Sequence, residues 1–170
     1  MNTEAVINPG KSWWGRRLVA PVVAQLTVGI SPERVAWAIS LGVVLGVFPI
    51  MGTTTLVCLV AGWLLRLNQP VLHVFSNLVY PLHLVLILVF IRLGERVYGA
   101  PRMSFSIPQL LGKFKDDPLQ FARGFGMSAW HGVSAWLLVA PVAAVLVKIA
   151  VMPVLKKVAA AIQKRREAAA

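Results

Sequence analysis

Three stretches of the chain contain no Asp, Glu, Lys or Arg: 31 residues from Val35 to Leu65, 25 from Leu67 to Ile91 and 24 from Gly124 to Val147. A helix that crosses a bilayer needs about 20 apolar residues, so each stretch is long enough. The pattern predicts an all-α integral membrane protein, with broken or re-entrant helices beside spanning ones. The first stretch is the unusual one. Val35 to Phe48 and Thr53 to Leu65 both read as apolar helix, and between them stand Pro49 and Gly52, the residue types least suited to a helix interior. The first half is roughly 21 Å long and the two halves joined would be roughly 46 Å, against a hydrocarbon core of about 30 Å. Neither half spans, and the whole overshoots.

Two arrangements fit this stretch: a re-entrant hairpin that enters and leaves on one side, or a broken spanning helix. Both put backbone groups near Pro49 and Gly52 at membrane depth, which is tolerated only against protein or a water-filled cavity. Thr53, Thr54 and Thr55 follow directly, and their hydroxyls can bond backbone groups or a ligand. The second half-helix would aim its free N–H groups and positive dipole end at the same place, an arrangement suited to an anion. A proline kink used only for packing is the plainer alternative.

The remaining elements follow from polar punctuation. Residues 1–12 read as a flexible tail. Trp13, Trp14, Arg16 and Arg17 open an interfacial helix, 13–29, ended by Gly29. Ser31-Pro32-Glu33 starts the broken pair, 32–65, with a cap, a first-turn proline and an acid at the positive end. Arg66 to Pro70 is a polar turn, and 70–91 is an ordinary span. Its His73, Asn77 and Pro81 recur every four residues and so share a face. Residues 92–117 form a polar loop with a short amphipathic helix over 107–115. Helices over 118–155 complete the membrane domain, 13–155, and 156–170 is a basic tail. Shifting the chain by 86 residues lays Pro32, Val35, Ala36, Leu41 and Gly46 on Pro118, Phe121, Ala122, Met127 and Gly132. That match raises an internal repeat of the kind many transporters use.

Composition agrees with the pattern. Only 14% of residues are charged and mean hydropathy is +0.74, where soluble domains carry roughly 25% charge. The net charge of +11 would suit nucleic acid, but the basic residues gather at the edges of apolar runs. Lys11, Arg16, Arg17 and Arg34 precede the first, and Lys148, Lys156, Lys157, Lys164, Arg165 and Arg166 follow the last. That placement fits cytoplasmic flanks against anionic lipid, and no nucleic-acid partner is expected. The same counts put both termini and the 92–123 segment in the cytoplasm, with the Arg66 turn outside. Pro141 would let 124–147 re-enter, as a cytoplasmic loop requires. The single cysteine, Cys58, lies in an apolar run and reads as a small buried residue. All six acids lie outside the apolar runs. No nucleophile elbow, Gly-rich phosphate loop, metal spacing or carboxylate pair appears. No enzyme activity, cofactor or metal is expected.

The segment "SPERVAWAISLGVVLGVFPIMGTTTLVCLVAGWLLRLNQP" resembles the bacterial domain-of-unknown-function family 2062. That family's pattern matches here at Ser31, Pro32, Arg34, Gly46, Phe48, Pro49, Gly52, Thr55, Arg66, Asn68 and Pro70. Where family members show Ser-Asn-Pro, this chain has Ser76-Asn77-Leu78 and a proline delayed to Pro81, so the backbone break there lacks its proline. The resemblance implies a multi-pass protein of the bacterial inner membrane. Relatives joined to glycosyltransferases point toward envelope lipids. The layout is also similar to a small version of the DedA lipid-transporter superfamily, although the membrane acids of that group are missing.

Two functions are expected on these grounds. One is a translocator of a lipid or polyprenyl phosphate. Its anionic headgroup would meet Arg34, the break at Pro49, Gly52, Thr53, Thr54 and Thr55, and Arg66, His73 or Asn77. The other is a non-transporting scaffold that recruits a glycosyltransferase or similar enzyme. Membrane lipids are the expected partners, and a homo-oligomer is compatible with either reading.

Overall fold

The computed structural model describes residues 19–50, 52–101 and 115–168, which form six α-helices. They are α1 (Ala20–Thr27), α2 (Pro32–Gly46), α3 (Thr54–Leu64), α4 (Gln69–Leu78), α5 (Tyr80–Val97) and α6 (Pro118–Glu167). The tail 1–12, the start of the expected helix 13–29 and most of the amphipathic helix 107–115 lie outside the described residues.

The first apolar stretch is broken where its sequence places the break. α2 begins at a Ser31 cap whose hydroxyl accepts from the Arg34 N–H, with Pro32 in the first turn. It stops at Gly46, and α3 begins at Thr54 after Gly52 has taken a left-handed φ of +83°. The halves fold back on each other rather than continue. Arg34, at the start of α2, and Arg66, just past the end of α3, line one cleft. The stretch is therefore a helical hairpin, and the Arg66 turn is not at the far end from Arg34 as the charge count implied. Arg66 itself adopts φ +50°, and the Leu67 N–H reaches back to the Gly62 carbonyl at 2.8 Å, closing the last turn of α3.

α4 lies along the hairpin. Gly62 faces Gln69 and Cys58 meets Ser76, so α3 and α4 are antiparallel; Gly42 faces Leu72 and Gly46 faces Ser76, so α2 and α4 run the same way. Cys58 is fully buried there, as its surroundings in the sequence implied. The unbroken span expected over 70–91 is not observed: the chain bends by 70° at Val79 between α4 and α5. Pro81 has no N–H to give the Asn77 carbonyl, and Val79 ends α4 by donating to the Phe75 carbonyl. The delayed proline thus still makes a break. It also removes Pro81 from the face that carries His73 and Asn77.

The polar loop expected from residue 92 starts later, because α5 runs to Val97. The helices expected over 118–155 and the tail over 156–170 are instead one helix of 50 residues, with Pro141 and Pro153 inside it. No re-entry occurs at Pro141. α6 packs antiparallel to α2, with Lys148 at Glu33 and Trp136 at Val44. Its N-terminus and the Arg34 end of α2 therefore lie at opposite ends of the bundle. That separates the segment leading into α6 from the Arg34 side, where the charge count had placed it. The repeat survives only as two similar helix starts, since Gly46 ends its helix and Gly132 sits within one.

Two apolar clusters hold the bundle. One joins Val22 and Leu26 of α1, Val35 and Ile39 of α2, and Leu155, Val158 and Ile162 of α6. The other joins Val44 and Leu45 of α2, Cys58 of α3, Leu72 of α4, Phe90 of α5, and Trp136, Ala140 and Ala144 of α6. The Arg166 guanidinium also reaches the Thr27 carbonyl, tying the end of α1 to the end of α6.

Candidate functional site

The sequence-derived site residues fall into two places about 18 Å apart along α2, at 1.5 Å per residue. At the open end of the hairpin, Arg34 and Arg66 line a cleft of 170 Å³ with Ile30, Val35, Leu67 and Asn68. Arg66 also lines a larger cavity of 610 Å³ with Gly62, Trp63, Leu64 and Gln69. Neither guanidinium is in an ion pair among the described residues. Asn68 spends its side-chain oxygen on the Val71 N–H and so holds the start of α4. Two unpaired, permanently charged forks in one cleft suit an anion with several oxygens, such as a phosphate.

At the closed end, Gly52, Thr54, Thr55, His73 and Asn77 line a small pocket of 130 Å³ together with Ser76 and Tyr80. Ser76 and Tyr80 were not among the expected site residues. Their signal was present: 73, 76, 77 and 80 follow the i, i+3, i+4, i+7 spacing of one helical face. No side chain caps α3, so the N–H groups of its first turn lack an acceptor from the helix itself. Thr53 does not enter the pocket; its hydroxyl donates to the Ile50 carbonyl at 3.0 Å. Pro49 is buried with its ring toward Gly132 of α6, where it packs rather than binds. Asn77 donates to the His73 carbonyl at 2.8 Å.

Neighbouring helices also donate to carbonyls at the end of α2. The His83 Nδ1–H donates to the Gly46 carbonyl at 2.7 Å, and the Trp136 indole N–H donates to the Val44 carbonyl at 3.2 Å. A carbonyl only accepts, so Nδ1 of this buried His83 is the donor. Phe48 packs edge-on against Trp136, with ring centroids 5.1 Å apart. The break is thus supported on its carbonyl side and open on its N–H side. That asymmetry favours a negative or hydrogen-bond-accepting guest over a cation.

Sequence reasoning also missed a polar cluster where α5 crosses α6. Glu95 is only 3% exposed and pairs with Arg92 at 2.8 Å. His131 stacks on Tyr98 at 4.8 Å, and its carbonyl closes on Gly94 so nearly that a Cβ there would clash. Charges beginning at Arg92 read as the end of a helix, but the apolar and small face 90, 91, 94 continues past them. Among the described residues, no group of three His, Cys, Asp or Glu is placed to hold a metal.

Comparison with known proteins bears on residues 15–168. They match the model of the family DUF2062, described as an uncharacterized protein conserved in bacteria. The chain belongs to that family. No curated protein and no solved structure matches it. Arg34 and Arg66 both fall within the matched region. DUF2062 brings no activity with it, so the reading of the site rests on its geometry.

Proposed function

We propose that this DUF2062 protein is a multi-pass protein of the bacterial cytoplasmic membrane that takes a phosphate-bearing lipid headgroup, such as that of a polyprenyl phosphate, at the Arg34–Arg66 cleft. The membrane part is supported by α6. Its most apolar 18-residue window has mean hydropathy 2.4, yet only 6% of that window is buried. A soluble protein covers a helix of that kind with its own chain, and an uncovered one needs lipid or a partner. Leu138, Val142, Leu146 and Ile149 of α6 are all more than 60% exposed, as are Leu56, Trp63 and Leu64 of the hairpin.

In this reading α6 is one span, and α4 with α5 is a second, bent span; the pair passes the same length and hydropathy test together. Two spans return both termini to one side. Lys156, Lys157, Lys164, Arg165 and Arg166 mark that side as cytoplasmic. The hairpin enters from it and is re-entrant. Its tip, level with Gly132, stops about 13 Å short of Arg123 at the other end of the span. The pocket of Thr54, Thr55, His73 and Asn77 then lies inside the bilayer, where a buried polar lining has a high cost unless something fills it.

The observation that carries the lipid part is the meeting of Arg34 and Arg66 in one cleft, with no acid partner among the described residues, at the mouth of an apolar hairpin. A headgroup phosphate would pair with the two forks while its chain follows the exposed apolar surface. The pocket at the tip offers a second polar stop further in. The test is binding and transbilayer movement of a polyprenyl phosphate in reconstituted vesicles, with the uncharged polyprenol as comparison. Arg34→Gln and Arg66→Gln each weaken binding of the phosphate by about tenfold, one charge-assisted contact, and leave the polyprenol unchanged. Thr54→Val/Thr55→Val slows movement more than it weakens binding. A folded wild type that binds the two lipids equally ends this proposal and leaves the scaffold for an envelope-synthesis enzyme, such as a glycosyltransferase.

A further inference from the structure

Beside α2, on the side facing α6, a groove of 390 Å³ is lined by Trp37, Val145, Ile149, Met152 and Pro153, with Lys148 and Lys156 among them. Its size falls within the usual range of small-molecule sites. The walls are apolar and the charged groups are few. The Lys148 ammonium lies 4.5 Å over the Trp37 ring and pairs with Glu33 at 2.8 Å. The charges facing the groove are then Lys148 and Lys156 against Glu33, a surplus of one positive charge. Lys148 is occupied, and Lys156 is exposed and in no ion pair among the described residues.

We propose that this groove seats one monoanionic phospholipid of the surrounding bilayer. Its acyl chains lie against Trp37, Val145, Ile149 and Met152, and its phosphate meets Lys156 beside the Lys148–Glu33 pair. Two arguments select this occupant. The groove opens on the exposed apolar surface of α6 at Val145 and Ile149, so a chain enters from the lipid phase without crossing water. A phosphodiester with an uncharged alcohol headgroup cancels the surplus charge. A choline headgroup carries its own cation to a place that already holds two ammonium groups. The indole of Trp37 at this level also suits the boundary between chains and headgroups. The site is separate from the Arg34–Arg66 cleft, and the proposal rests on the membrane placement above but not on the lipid-phosphate reading of that cleft.

The test uses the full chain in detergent, offered equal amounts of phosphatidylglycerol and phosphatidylcholine with matched chains, and counts retained lipid by native mass spectrometry. The wild type retains one phosphatidylglycerol with about tenfold preference, as one charge-assisted contact provides. Lys156→Gln removes the preference. Lys157→Gln, one residue away and outside the groove, keeps it. Met152→Trp fills the groove and lowers retention of both lipids, which checks the site without touching a charge. Inorganic phosphate does not displace the lipid. Equal losses in Lys156→Gln and Lys157→Gln, or no preference in a folded wild type, overturn the proposal. A chain that stays in aqueous solution without detergent overturns the membrane reading, and the groove's lipid with it.

Discussion

Pro49 and Pro141 both stand inside long apolar runs, and the helix ends near one and continues through the other. Each proline withholds one N–H from the carbonyl four residues back, at a cost of about 3 kcal/mol in a helix interior. What differs is the company. Around Pro49, Gly46 lets α4 come so close that a Cβ would sit 2.8 Å from the Ser76 carbonyl, and Gly52 turns the chain at φ +83°. His83 and Trp136 then donate to carbonyls at the end of the helix. Around Pro141 the neighbours are Ala140, Val142, Ala143 and Ala144, all helix-compatible, and Ala140 and Ala144 pack into the second apolar cluster. A proline weakens a helix. A break also needs a glycine for the turn and outside donors for the freed carbonyls.

The largest expected effect tests the two shapes directly. In a Cys58→Ser background, single cysteines are placed at Arg34 and Arg66 for the hairpin and at Lys115 and Gln163 for the long helix. A membrane-impermeant thiol reagent applied to intact cells should treat the first two alike and the last two oppositely, with Lys115→Cys labelled. Opposite labelling of Arg34→Cys and Arg66→Cys would mean that the first run crosses the membrane as a broken span.

Next in size is the packing that separates the two glycines brought together by the 86-residue shift. A Cβ at Gly46 meets Val79 Cγ2 at 2.5 Å and Ser76 backbone at 2.8 Å, whereas one at Gly132 first meets Ile91 Cγ1 at 3.1 Å. Gly46→Val therefore wedges the hairpin from α4, with a loss of about 3 kcal/mol. Gly132→Ala asks the buried Ile91 side chain to give by a few tenths of an ångström and costs less, about 1 kcal/mol, partly offset by the gain in helix propensity. Thermal unfolding in detergent ranks the pair, and equal losses would contradict the different packing at the two positions.

A smaller pair asks what glycine adds to proline. Gly52→Ala forces a Cβ into the left-handed region and costs roughly 1–2 kcal/mol. Ala144→Gly gives α6 the same Pro-x-x-Gly spacing as Pro49 and Gly52 and costs about 1 kcal/mol. α6 nevertheless stays one helix, because Trp136 and Ala140 keep it on α2. Spin labels at Ala135 and Ala150 should show an unchanged distance. A shortened distance would make spacing alone sufficient for a break.

Where intrinsic chemistry decided an element, the sequence was enough to read it. The Ser31 cap, the Gly29 stop and the Pro49–Gly52 break all stand where their residue types put them. Tertiary contacts decided the rest. Nothing local says that Pro141 is carried through while Pro81 accompanies a 70° bend, since that depends on which neighbours hold each side. The candidate site was legible as a list but not as a place. Arg34 and Arg66 are 32 positions apart, and only the fold-back joins them. Glu95 was hidden by the opposite error, because charge at Arg92 and Arg96 masked a small, apolar face that continues through Gly94.

The smallest expected effect concerns the contact that fastens the hairpin to the long helix. Lys148 donates to the Glu33 carboxylate at 2.8 Å, and this bond, with the Lys148 charge and a lesser contribution from Lys156, holds the carboxyl below its ordinary 4.5. A carboxyl with a lowered folded value stabilises the fold above its ordinary value and loses that contribution as pH falls through the folded one. The pair should therefore hold α2 to α6 at neutral pH and release progressively below about pH 4.5. Glu33 is 65% exposed, so solvent screens the pair and the effect is slight. Glu33→Gln should unfold at a slightly lower temperature than wild type at about pH 7, and the gap should close by about pH 3. The stacking of Lys148 on Trp37 remains in both proteins. A gap that persists at low pH would assign the loss to packing rather than charge, and the hairpin would then be held to α6 by Trp136 and the alanines alone.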